Sequence, residues 1–196
     1  MKIYKIDNTH KKQIYHLIKR NLKKSIIFTL SKKFITEVFF KQICNEQKFL
    51  SVHCKNKKNS VGFIAVKKKY GNFSIFFFIT TFFYALHCFI KKDKSIFLKL
   101  FSAFFKKRII NKNSTIFVND SAEIIYICVE KKFRKKGIGK KLISYSAKYL
   151  KSDHKYVITS SENSPKVINF YLKNKFKKIG IETRYKKKNI LMIKKL

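Results

Sequence analysis

The sequence predicts a single α+β domain, and three observations carry that prediction. The chain has 196 residues, 45% hydrophobic and 16% aromatic with 21 Phe. That is one domain's length with ample core material, and it excludes global disorder. In the opening third, apolar residues recur first at helical spacing and then in alternation. After Asn119, near-continuous apolar runs alternate with helical stretches around a glycine loop, the pattern of strands covered on both faces.

The elements follow in order. Asn8 or Thr9 caps a helix that carries Ile14, Leu17, Ile18 and Leu22 on one side,. A second helix starts at Ser31, with Phe34, Ile35, Val38, Phe39 and Ile43 as its buried stripe. Leu50, Val52 and Cys54 alternate as a strand, Lys55 to Ser60 turn, and Val61 to Lys67 return. The start therefore reads helix, helix, hairpin. Glu123 to Val129 is a buried strand, a basic glycine loop follows, and a helix runs from Gly137 to Lys151. Tyr156 to Thr159 is a second buried strand. Ser164 and Pro165 begin a helix that ends near Asn174, and Phe176 to Arg184 and Asn189 to Ile193 finish as strands. No repeat and no linker divides residues 1–196, so one domain is expected, with a hydrophobic and basic helical insertion at about 70–110.

The insertion has two parts. Tyr70 to Ile90 carries no charge and is flanked by Lys67 to Lys69 and by Lys91 and Lys92. Its length satisfies a membrane span, but Gly71, Asn72, Ser74, Thr80, Thr81 and His87 dilute it, and cations on both sides give no orientation. It is read as part of the domain. Phe97, Leu98, Phe101, Phe104 and Phe105 then recur at helical spacing, with Lys99, Lys106 and Lys107 mostly on other faces. Such a helix packs on its own domain or lies on a membrane surface; packing is the expectation. Residues 70–108 are the candidate acceptor-site lid, oligomer contact or peripheral membrane contact.

Lys and Arg number 47 against 10 acids, a net charge of +37. Only Arg20, Arg108, Arg134 and Arg184 are arginines; the rest is lysine. A surface of that sign attracts polyanions without specific contacts. Lys, Asn, Ile, Phe and Tyr dominate the chain, and all have A- and T-rich codons, so base composition accounts for much of the charge. No helix-turn-helix, RNP or zinc-finger pattern accompanies it, which disfavours nucleic acid as the partner. Cys44, Cys54, Cys88 and Cys128 form no C-x-x-C pair, and the five His lie far apart. No metal site is expected, and the cysteines read as buried thiols in a reducing compartment. The N-terminus has no apolar run, so no signal peptide is expected and the location reads as cytoplasmic, with membrane association as the variant.

The chemistry centres on Phe133 to Lys141, F-R-K-K-G-I-G-K-K. Two glycines two residues apart let backbone approach a ligand, and the helix that starts there aims unpaired N–H groups and a partial positive charge at the same spot. That combination binds phosphate, and pyrophosphate is the natural ligand. The loop is neither a P-loop nor the dinucleotide fingerprint, since Lys140, Lys141 and Leu142 follow the second glycine,.

The order strand, R-x-x-G-x-G (Arg134, Gly137, Gly139), helix, strand, then a helix carrying Phe170-Tyr171 and Phe176 resembles the GNAT superfamily of N-acetyltransferases. The close match spans about Ala122 to Gly180. The resemblance implies αβα layers around a mixed, mostly antiparallel sheet with a splayed pair of parallel strands, and direct transfer of acetyl from acetyl-CoA to a primary amine without a metal. It implies that the backbone of Ile127, Cys128 and Val129 meets the pantetheine arm, with the Val129 N–H as oxyanion donor. It implies that Arg134, Lys135, Lys136, Gly137, Ile138, Gly139 and Lys140 hold the pyrophosphate, the Ile138 side chain being core. Tyr171 matches the tyrosine that protonates the departing thiolate, and Glu123 the position where some protein-acetylating members place the general base. The family's usual Asn seven residues before the tyrosine is Ser164 here, with Asn163 beside it; either would contact the cofactor. The usual Leu-Gly-Phe is Asn174-Lys175-Phe176, and Asn174 is expected to take the left-handed helix-ending conformation. Lys135 stands where many members have Gly. The acceptor is an amino sugar, a small amine or a protein amine, and the surface charge favours an anionic one. The rival readings are a basic membrane- or nucleic-acid-binding protein and a GNAT-like domain that binds CoA without turnover.

Overall fold

The computed structural model describes residues 1–21, 32, 35–56, 59–69, 79, 82–84, 107–110, 120–184 and 187–196. In chain order these form β1 (Lys2–Lys5), α1 (Lys11–Asn21), α2 (Phe40–Ile43), β2 (Phe49–Asn56), β3 (Asn59–Lys67), β4 (Lys107–Ile110), β5 (Ser121–Val129), α3 (Ile138–Leu150), β6 (Tyr156–Glu162), α4 (Pro165–Lys173), β7 (Lys177–Arg184) and β8 (Lys187–Lys195). Among the described residues eight strands make one sheet, in the order β1-β2-β3-β5-β6-β8-β7-β4. Neighbours are antiparallel except β5 and β6, which α3 joins as a parallel pair.

The layers follow from alternation. On one face Ile14, Leu17 and Ile18 of α1 and Phe40 and Ile43 of α2 pack with Phe63, Ala65 and Cys128. On the other, Leu142, Ile143 and Leu150 of α3 and Tyr171 of α4 pack with Ile64, Val66, Ile124, Val157 and Met192. Successive β3 residues thus serve opposite cores, which is why β3 and β5 are nearly all apolar. A smaller cluster of Ile158, Ile179, Leu191 and Ile193 continues the α1 face toward β7.

The opening differs from the expected helix, helix, hairpin. A strand precedes α1 and pairs Lys2 with Lys55 and Lys5 with Val52. The cap is Asp7, one residue before the two candidates: its carboxylate accepts from the Thr9 N–H at 2.8 Å, and a 3-10 turn over Asn8–His10 leads into α1. Asp7 wins because an ionised acceptor suits the N-terminal dipole better than a neutral one. The second helix is a π turn at Ile35–Phe39 followed by α2; Leu22, Ser31 and Phe34 lie outside the described residues.

The helix expected at Phe97 to Phe105 lies outside them as well, but the end of the insertion does not. Lys107–Ile110 is a strand on β7, with Arg108 opposite Glu182 and Ile110 opposite Gly180. The chain therefore leaves the sheet at its third strand, re-enters at its far edge and returns to the fourth. Tyr84 packs against the α1-side core, whereas Ile79, Phe82 and Phe83 are exposed. No helix among the described residues is long and apolar enough to cross a membrane.

Candidate active site

The site starts from an irregularity in β5. Val66 pairs with Ile124 and Ala65 with Tyr126, so Ile125 is an extra residue opposite a single step of β3. Such a bulge bends the strand that carries it. The parallel ladder to β6 ends at the same point, with Ile124 opposite Thr159 as its last pair. From there to Val129 the β5 edge facing β6 is open over about 16 Å at the usual rise. Ile127, Cys128 and Val129 all lie on this stretch. Glu130 donates its N–H to Val61 O at 2.8 Å. In an antiparallel ladder the neighbouring residue turns its polar groups to the other side. Val129 therefore directs its N–H and C=O away from β3, toward the gap.

At the mouth of the gap lies the glycine loop. Gly137 has φ 73° with nothing near its missing Cβ, so conformation alone selects glycine there,. Gly139 differs: a Cβ would sit 2.9 Å from the Phe170 ring, so this glycine makes room for α4. Lys141 is the first residue to donate to a carbonyl at the helix start, that of Gly137. The N–H groups of Ile138, Gly139 and Lys140 thus precede the intrahelical ladder. Lys135, Lys136, Gly137 and Lys140 are exposed, and Ile138 is buried in the core as expected. Lys132 and Lys136 place their ammonium groups 5.4 and 5.5 Å from the Phe133 ring centre, which holds two cations beside the loop. The donors present fit a pyrophosphate.

Arg134 is engaged within the protein. Its Nε donates to Val129 O at 3.1 Å and its Nη2 to Asn21 Oδ1 at 3.3 Å. Lys135 takes a left-handed φ of 62° where a glycine would be unstrained,. Ser164 occupies the N-cap of α4, but its hydroxyl makes no capping bond; Asn163 beside it is exposed.

Tyr171 sits at the root of the gap. It is 4% exposed, and its hydroxyl lies 3.5 Å from Thr159 Oγ1, on the β6 residue that closes the parallel ladder. Burial pushes its pKa up against the lowering effect of the Thr159 contact, so the phenol stays protonated and able to donate. Burial also raises the Cys128 thiol, which leaves it inert,. Glu123, 4% exposed, is one residue before Ile124 and opposite Lys67 of β3. Since Ile124 faces α3 and α4, Glu123 faces the α1 side,. The two catalytic candidates thus approach the same level of the gap from opposite faces of the sheet.

One expectation is corrected. Asn174 has φ −96°, and the left-handed residue is Lys175 at φ 66°. Asn174 instead donates its Nδ2 to Phe170 O at 2.7 Å. Sequence reasoning also missed Asn21, Ser160 and Glu182. The fully buried Glu182 accepts from Ser160 Oγ at 2.8 Å on the face that Glu123 shares. Asn21 of α1 reaches a loop more than a hundred residues on, and Ser160 of β6 reaches Glu182 of β7, so no local pattern announces either contact. No cluster of metal-ligating side chains occurs among the described residues.

A family model described as an acetyltransferase (GNAT) domain matches residues 99–178. Among solved structures, the PaiA N-acetyltransferase from Thermoplasma acidophilum in complex with coenzyme A is 16% identical, with a TM-score of 0.63 over 100% of this chain and 98% of that one. An aminoglycoside 6'-N-acetyltransferase complexed with coenzyme A is 15% identical, with a TM-score of 0.62 over 100% and 97%. The ribosomal-protein-S18-alanine N-acetyltransferase from Escherichia coli is 13% identical, with a TM-score of 0.61 over 99% and 92%. None of the curated proteins matches the chain in sequence. The architecture is the GNAT fold, an open and mostly antiparallel sheet with one parallel strand pair. The family match covers residues 99–178, and the rest of the chain shares the GNAT fold with these neighbours. Acetyl transfer is the class of chemistry that the matched domain model and the coenzyme A-bound neighbours support.

Proposed function

We propose that the protein transfers acetyl from acetyl-CoA to a primary amine by direct attack. The observation that carries this reading is the gap opened by the Ile125 bulge, with Tyr171 at its root and the glycine loop at its mouth. The open edge of Ile127 to Val129 accepts the pantetheine arm as an extra strand would be accepted. The loop from Arg134 to Lys140, through the first N–H groups of α3, holds the pyrophosphate. The Val129 N–H stabilises the oxyanion that develops as the amine attacks, a contribution of about 3 kcal/mol for such a donor. Tyr171 gives its proton to the departing sulfur, and Glu123 takes the proton that the amine must lose, directly or through water.

The acceptor enters from the α1 side, where Glu123 and the Ser160–Glu182 pair lie. Glu182 and Glu123 suit an ammonium group, but Lys67 stands opposite Glu123 on the same face, so the anionic acceptor that the surface charge suggests and a cationic amine both fit. The test is melting of the purified protein at about 0.3 M salt with acetyl-CoA against ATP. At a hundredfold excess over Kd a ligand stabilises by about 2.7 kcal/mol, which raises Tm by roughly 5–10 °C for a chain of this size. A rise with acetyl-CoA alone supports the reading. Equal rises, or none, leave the loop a generic anion patch.

A second contact is favoured by Ile79, Phe82 and Phe83, exposed within a lysine-flanked segment. We propose that residues 70–108 touch an anionic lipid surface, aromatic side chains entering the interface and lysines meeting headgroups. Co-sedimentation with phosphatidylserine vesicles tests it, and binding that Phe82→Ser/Phe83→Ser leaves unchanged overturns it.

A further inference from the structure

The end of α1 is fastened to the glycine loop across more than a hundred residues of sequence. Asn21, the last residue of α1, accepts from the Lys131 N–H at 3.1 Å and from Arg134 Nη2 at 3.3 Å, both on Oδ1. Its Nδ2 donates to Leu17 O at 3.0 Å. That set fixes the orientation of the amide, because the reversed form would set NH2 against two donors. The same guanidinium continues to Val129 O, and Arg20 of α1 pairs with Glu130 at 2.9 Å. So the first residues after β5 are gripped by α1, while Lys131, Lys132 and Lys135 to Gly137 are exposed.

We propose that Asn21 is a positioning residue for the pyrophosphate loop, acting through Arg134. The proposal rests on the acetyl-CoA reading above. A loop whose N–H groups meet a pyrophosphate binds well only if its shape is set beforehand, since ordering it on binding costs affinity. Asn21 supplies the acceptor that keeps the entry N–H and the guanidinium in place. Arg134 in turn holds the carbonyl of Val129, the residue whose N–H faces the gap. In this arrangement the exposed Arg134 shapes the loop through its bonds to Val129 O and Asn21 Oδ1 rather than acting as a free cation over the phosphates.

The experiment uses the full chain and two readouts. The first is amide hydrogen exchange of the peptide covering residues 130–137 without ligand; the second is coenzyme A affinity by calorimetry at about 15 °C. Asn21→Ala is expected to speed exchange in that peptide and to weaken coenzyme A by about tenfold. Asn21→Asp keeps both acceptor contacts but sets its second oxygen against Leu17 O, so it is expected to restore part of the protection,. Arg134→Ala is expected to weaken binding similarly, and the double variant Asn21→Ala/Arg134→Ala to be no weaker than the worse single one. Wild-type protein that binds no coenzyme A overturns the cofactor reading and this inference with it. Wild-type binding with unchanged loop exchange, unchanged affinity in Asn21→Ala, or additive losses in the double variant overturns the positioning role alone.

Discussion

From Ser121 to Ile124, β5 is paired with strands on both sides; from Ile125 to Val129 it is paired with β3 alone. The first half, Ser-Ala-Glu-Ile, is fully buried although two of its residues are polar; the second, Ile-Tyr-Ile-Cys-Val, is more apolar yet mostly half-buried. Composition does not account for the difference; the extra residue at Ile125 does. The comparison teaches that the site is made by removing a neighbour rather than by adding chemistry. A strand edge left without its partner strand offers backbone donors and acceptors to a ligand or water, as Val129 O already accepts from Arg134 Nε,. Tyr171 and Glu123 both stand at the boundary between the halves.

Tyr171→Phe is the sharpest way to separate chemistry from architecture at that boundary. The ring keeps its packing against Phe170 and Phe176, at centroid distances of 5.2 and 5.1 Å. The lost hydroxyl contact is a long 3.5 Å, so melting is expected to stay within a degree or two. On the proposed role as general acid, the variant is expected to lower kcat by about a thousandfold, about 4 kcal/mol, with Kd for coenzyme A unchanged. A kcat within threefold of wild type, in a transfer assay with any accepted amine, removes Tyr171 from the mechanism.

Acid probes the closed part of the sheet instead. His53 on β2 is fully buried, its Nδ1 is 2.7 Å from Ser60 Oγ, and its ring centre lies 4.2 Å from that of His10. Burial first, then the neighbouring His10 and Lys55, lower its pKa from 6.5 to about 4, with Asp7 opposing. The group is neutral when folded and binds a proton more readily when unfolded. Its stabilising effect is therefore complete above pH 6.5 and is lost as pH falls toward 4, by about 3 kcal/mol in all. Urea unfolding at pH 7 and pH 4.5 measures the loss, and His53→Gln is expected to flatten the dependence.

The two loop glycines sharpen the comparison further, because only one of them faces the opening. Gly139→Ala brings a methyl within 2.9 Å of the Phe170 ring. The expected cost is about 2 kcal/mol of overpacking, read as a lower Tm, and Gly139→Ala/Phe170→Leu is expected to recover most of it. If coenzyme A affinity falls while Tm holds, Gly139 serves the ligand and not α4.

What was legible in the sequence divides along similar lines. The β5–α3–β6–α4 run was readable because each element carries its own signal: a continuous apolar run, a glycine pair, Ser-Pro at a helix start. β1 was not, since Lys2 and Lys5 mask a strand whose partner is fifty residues away. β4 was missed for the same reason: Lys-Arg-Ile-Ile reads as the tail of a basic helix until β7 lies beside it. Of the site, the residue types were legible and their connections were not. Arg134 was expected over phosphate, and the contacts that hold it belong to Asn21 and Val129.

The smallest expected effect concerns how Tyr171 is held. After α4, Phe176 N donates to Tyr171 O at 3.1 Å and Lys175 N to Leu172 O at 2.9 Å. These are the paired bonds of a Schellman ending, in which Lys175 is the left-handed residue and the accompanying apolar contact is Phe176 on Tyr171,. The helix ending therefore fastens the tyrosine to the first residue beyond the turn, and it does so with a lysine where glycine is the unstrained choice. Lys175→Gly relieves the left-handed penalty of about 1–2 kcal/mol but adds freedom to the unfolded chain, leaving a net gain of roughly 0.5–1 kcal/mol. A Tm rise of about 1–4 °C follows for a chain of this length, with kcat unchanged because the Tyr171–Phe176 contact is kept. A fall in Tm would mean that the Lys175 side chain contributes more than its backbone costs. A Tm rise accompanied by a loss of kcat would mean that the strain at Lys175, and not the contact alone, sets the angle of the Tyr171 hydroxyl toward the gap.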